Sequence, residues 1–143
     1  MTRPSIHGGL NRSDTIIRGL VALVVTVVLN LLIRVVATTL FDVDAGYEHL
    51  AWRDFISTTI GVVAFALLVR VVLMRYGDRG AQIFVRIAIV VFVLSLAGPL
   101  SLLSTDEAAD GGVVTTLVSM HVATGLVIWA SLGSSGREPV VMT

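Results

Sequence analysis

Apolar residues along this chain fall into four long runs divided by three short polar stretches. The runs cover about residues 16–40, 55–74, 83–103 and 113–132. A helix needs about 20 mostly apolar residues to cross a hydrocarbon core of about 30 Å, and each run qualifies. None shows the period-two alternation of a membrane β-strand. In lipid every backbone N–H and C=O must be paired within its own segment, so even these Val-rich runs are required to be helical. The pattern predicts an all-α fold: a four-helix transmembrane bundle forming a single domain over residues 1–143, with short connections and antiparallel neighbours. The first run exceeds the roughly 7–15 apolar residues of a signal peptide, so it reads as a retained first span. The polar first fifteen and last ten residues are expected to be mobile tails.

Composition strengthens the pattern. Of 143 residues, 55% are hydrophobic and 14% charged, against about 25% charged in soluble domains. There is no Cys, which excludes disulfides, thiol chemistry, Fe–S ligation and Cys-type zinc sites. All ten basic residues are Arg, so no lysine is present to form a Schiff base.

The charges segregate. Arg3, Arg12, Arg18, Arg70, Arg75, Arg79, Arg86 and Arg137 flank one side of the spans with three acids, a net of +5. The first and third loops carry Asp42, Asp44, Glu48, Asp54, Asp106, Glu107 and Asp110 against Arg34 and Arg53, a net of −5. Positive residues stay cytoplasmic, which places both termini in the cytoplasm and the protein, as a multi-pass chain, in the plasma membrane. Overall neutrality removes nucleic acid as a partner.

Polar groups inside the spans are the first candidates for function. Thr26, Asn30, Arg34 and Thr38 recur at four-residue spacing on one face of span one. Arg34 lies about 27 Å beyond Ile16, near the outer interface. There it either reaches the headgroups or Asp42 or Asp54, or lines an opening for an anion. His121, the single His within a span, and Ser95 each lie about 12 Å below an outer helix end. Asn30 lies at a similar level, and span two offers Thr58 and Thr59. The candidate intramembrane polar cluster is therefore Asn30, Arg34, Ser95 and His121, with His121 expected to bond to Asn30 or Ser95. In span three, Gly98 and Pro99 predict a helix break, because Pro cannot donate to the carbonyl of Ser95. Small residues at Ser57, Gly61 and Ala64, at Ala88, Ser95 and Gly98, and at Thr116, Ser119 and Ala123 suggest packing faces. Phe41, Tyr47, Trp52 and Phe55 fit an interfacial aromatic belt. The acidic stretch from Asp42 to Glu48 lacks most positions of a calcium loop, and His121 has no second His at its depth for a haem. No cofactor, no metal and no catalytic residue is expected.

The order of these features resembles a family of small prokaryotic four-span membrane proteins known as a domain of unknown function. The shared features are the polar-interrupted first span, the Arg-rich turn after span two, the Ser-x-x-x-Pro-Leu pattern from Ser95 to Leu100, and Met120-His121. The resemblance implies a four-helix fold with no established activity, and it points to Ser95, Pro99 and His121 as positions to test. Small size and the lack of catalytic residues favour a non-enzymatic accessory or structural subunit of a larger membrane complex. The alternative is an oligomeric small-solute or ion transporter or channel using the outer polar cluster. The expected partners are the lipid bilayer and either a membrane protein or further copies of this chain.

Overall fold

The computed structural model describes residues 12–106 and 109–133, Asp78 by its backbone alone. Four helices account for most of it: α1 (Arg12–Leu40), α2 (Trp52–Leu73), α3 (Gly77–Thr105) and α4 (Gly111–Leu132). All four are long and apolar enough to cross a membrane. Residues 12–15, expected in a mobile tail, instead open α1. Residues 1–11 and 134–143 lie outside the described residues.

Local chemistry sets the helix limits. At the end of α1 the N–H groups of Phe41 and Val43 both return to the carbonyl of Ala37. This closure places Asp42 in the left-handed region at φ 52°, which Asp tolerates better than most residues. Between α2 and α3 a single 3-10 turn, Met74–Tyr76, runs into Gly77 at φ 56°. Gly is the residue suited to that backbone. Asp110 caps α4, its carboxylate accepting from the Val113 N–H at 2.8 Å.

The break expected at Gly98 and Pro99 does not occur: α3 is helical through Thr105, with Pro99 inside it. A membrane helix tolerates Pro when other groups re-satisfy nearby backbone. Nearby, Ser95 Oγ donates to Phe92 O at 2.8 Å and Ser101 Oγ to Gly98 O at 2.7 Å, but neither hydroxyl reaches Ser95 O, the carbonyl that Pro99 leaves without its helical donor. Gly98 is exposed, and nothing would lie within 4 Å of a Cβ there. It admits no neighbouring helix.

Helix packing turns the usual amphipathic rule inside out. The buried face of α1 is Thr15, Gly19, Ala22, Thr26, Asn30, Arg34 and Ala37, and its Val and Leu side chains point outward. Lipid solvates Val and Leu as well as a core does, so small and polar residues take the interface. Along this stripe α1 lies against α4 and α2, while α4 also supports α3. A Cβ on Gly19 would come within 2.6 Å of Leu67 of α2, and one on Gly125 within 2.7 Å of the Phe92 ring of α3. The expected small face of α2 is wrong in phase: Ser57, Gly61 and Ala64 are exposed, and Phe55, Thr59, Val63 and Arg70 face inward.

Two apolar cores result. One, at the acidic end, includes Ala37, Leu50, Val113, Leu117 and Met120. The other, at the basic end, is Ala22, Val63, Phe84, Ile128 and Leu132. In sequence order along α1, α2 and α4, a polar layer separates them.

Candidate functional site

That polar layer centres on Asn30. Its Nδ2 donates to Thr59 Oγ1 and to Thr124 Oγ1, both at 3.2 Å, tying α1 to α2 and α4. Thr59 spends its own hydroxyl proton on Phe55 O at 2.7 Å, so its oxygen only accepts from Asn30. The amide orientation is thereby fixed, and Asn30 Oδ1 is left buried without a donor.

His121 does not bond to Asn30 or Ser95, as had been expected. Its Nδ1 contacts Leu117 O of its own helix at 2.8 Å. A carbonyl only accepts, so the Nδ1 proton makes this contact. Helix rotation, which depth alone does not give, explains the difference. Asn30, Ser95 and His121 do nonetheless share one surface. They line a cavity of about 1060 Å³ bounded by α2, α3 and α4, with Asn30 supplied by α1. Most of the lining is apolar, including Phe65, Ala66, Ala88, Phe92 and Trp129, and Thr58, Asp54 and His49 also line it. The cavity is an open crevice with residues of α2, α3 and α4 on its walls. A volume near the upper end of the ordinary range for small-molecule sites, with apolar walls and a few polar groups, is the usual form of a ligand pocket.

Arg34 belongs elsewhere. Its Nε donates to Leu50 O at 2.8 Å and its Nη2 to Ala45 O at 3.3 Å. The guanidinium also lies 4.6 Å from the Trp52 ring centre. It ties the first loop down onto α1 through backbone carbonyls, rather than pairing with Asp42 or Asp54 or lining the crevice. The aromatic belt is likewise divided. Phe41 and Trp52 are exposed, whereas Phe55 is buried and Tyr47 turns inward to donate to Asp106 Oδ2 at 2.6 Å. That hydrogen bond, with desolvation and the charges of Asp106 and Glu48, pushes the Tyr47 phenol up to about 12.

Charge counting alone missed Arg70. The count places it with the arginines around the turn, yet it is 4% exposed and its Nε has no hydrogen-bond partner. Its guanidinium lies 5.9 Å from the centre of the Phe84 ring. The spacing of Phe55, Thr59, Val63 and Arg70 was the available signal, since all four fall on one helix face.

Among the described residues no group of His, Asp and Glu is arranged to hold a metal ion. With four helices able to span a bilayer and a crevice opening between two of them, the fold defines a multi-pass, all-helical membrane protein. Residues 11–138 match the model of a family of unknown function, DUF6069, and the chain belongs to that family. No curated protein and no solved structure matches it.

Proposed function

We propose that this is a non-enzymatic plasma-membrane protein, with both termini cytoplasmic, that holds a lipophilic guest within the bilayer as an accessory subunit of a membrane complex. The observation that carries this reading is the crevice of about 1060 Å³ between α2 and α3, whose apolar walls enclose a few fixed polar groups. Tail and turn arginines opposite acidic loops support the orientation.

Transport is the second reading, favoured by the polar layer of Asn30, Thr59 and Thr124. The apolar core of Ala22, Val63, Phe84, Ile128 and Leu132 at the basic end supports binding over conduction through one chain.

Extraction into nanodiscs without detergent, followed by mass spectrometry of retained small molecules, tests the binding reading. The wild type should retain an apolar species enriched over bulk lipid. Ala88→Phe, which fills the crevice from α3, should lose it. Identical profiles for the two proteins would overturn the reading.

A further inference from the structure

Arg70 brings a positive charge into the bundle without bringing its counter-charge. It sits in the last turn of α2 and is 4% exposed. Its Nε is enclosed without a hydrogen-bond partner, and no hydrogen bond or ion pair joins the guanidinium to any described residue. The Phe84 ring, with its centre 5.9 Å from the guanidinium carbon, is at the outer limit of a cation–π contact. Arginine does not shed its proton, and a buried charge without a partner is strongly unfavourable. Its counter-charge has to come from outside the described chain.

The surroundings select an anion. Arg70 lies about 4.5 Å short of the end of α2 at Leu73, within reach of the headgroup layer. Arg75 and Arg79 follow on the connecting turn and at the start of α3, and both are exposed. Gly80, in the first turn of α3, lies against the Leu73 carbonyl, and Tyr76 gives that turn no side-chain cap. The positive end of the α3 dipole is therefore at the same end of the protein. Arg70 does not line the crevice, so this place is separate from the one proposed above.

We infer that Arg70 is the inner contact of a phosphate-binding site at the basic end. With Nε sealed, the Nη1–Nη2 edge of the guanidinium is the part open to a ligand. That edge matches two oxygens of one oxyanion. The phosphodiester of an anionic lipid and free inorganic phosphate present the same oxygens, one from the bilayer and one from water. Basic pockets between helices at a membrane surface take such headgroups. Arg75 and Arg79 disfavour a headgroup that carries its own cation.

Thermal unfolding of the full chain in a nonionic detergent, at constant ionic strength, is the readout. The probes are dioctanoyl phosphatidylglycerol, dioctanoylglycerol, which has the same chains and no phosphate, and inorganic phosphate. Phosphatidylglycerol should raise Tm saturably, at a midpoint about tenfold or more below that of dioctanoylglycerol, as a charge-assisted pair supplies. A shift with phosphatidylglycerol and none with inorganic phosphate identifies a lipid as the source; an equal shift with inorganic phosphate identifies the free anion. Arg70→Met should bring phosphatidylglycerol to the midpoint of dioctanoylglycerol. Arg75→Gln, which removes an exposed charge from the adjacent turn, should keep most of the difference. Equal losses in the two variants would mean diffuse surface charge and overturn the assignment to Arg70. The comparison of probes on the wild type decides the matter even where Arg70→Met does not fold. Coincident curves for the two lipids, with no response to inorganic phosphate, would overturn the phosphate site and leave a carboxylate of a partner protein as the counter-charge.

Discussion

The α1 seam and the α2–α3 crevice are built from different kinds of residue. In the seam, Gly19, Ala22, Thr26 and Asn30 let backbones approach, and Leu67 fills the space above Gly19. In the crevice, the larger side chains of Val62, Phe65 and Val91 line an open wall and stay exposed. Enclosure follows the difference: 28% of the apolar window of α1 and 33% of that of α4 are buried, against 11% for α3. Because lipid competes with large apolar side chains for contact, small residues close an interface and large ones leave it open to a guest.

The turn that joins α2 to α3 offers the sharpest way to break this contrast. A Cβ on Gly80 would collide with the backbone carbonyl of Leu73, which cannot move aside as a side chain can. Gly80→Ala should therefore cost about 3 kcal/mol and shift the angle at which α2 and α3 part. A melting temperature unchanged in nanodiscs would contradict the tight turn.

A smaller loss is expected in the seam. Asn30→Ala removes two interhelical hydrogen bonds at about 0.6 to 1.7 kcal/mol each. It should lower stability by about 1–3 kcal/mol, as read by thermal unfolding. Equal stability would mean that Thr59 and Thr124 find other partners at no cost.

The least effect is expected at the acidic end, outside both regions. Tyr47→Phe deletes the donor to Asp106 and should cost about 1 kcal/mol at neutral pH. The folded-state value of the phenol is raised to about 12 from an ordinary 10. The contribution is then complete below pH 10 and lost as pH climbs through 12. The gap in melting temperature between wild type and Tyr47→Phe should close across that window, and a constant gap would contradict the assignment.

Much of the seam was legible because a four-residue spacing is a geometric statement. Thr26, Asn30 and Arg34 share a face in any α-helix, and all three are buried. Membership of the family was legible as well, from the order of features across the chain. Partners were not. Depth placed Asn30, Ser95 and His121 on one level, and all three line one crevice. Rotation decided that Asn30 bonds Thr59 and Thr124, and that His121 bonds its own helix. The same missing angle put Ser57, Gly61 and Ala64 on a packing face when they are exposed. Pro99 misled for a different reason: one missing N–H removes one bond from the ladder, and the rest of α3 stays helical past it.

Separation of α2 from α3 in a real bilayer is the claim on which the crevice depends, and disulfide trapping reads it directly. The chain contains no Cys, so Thr58→Cys and Leu102→Cys place one thiol on each wall of the crevice with no background. A disulfide requires Cα atoms within about 7 Å. Under oxidation in nanodiscs the pair should stay reduced while each thiol alone remains reactive toward a lipid-soluble maleimide. Rapid, near-complete crosslinking of Thr58→Cys to Leu102→Cys would show that the two helices close on each other and that the crevice does not exist in the membrane.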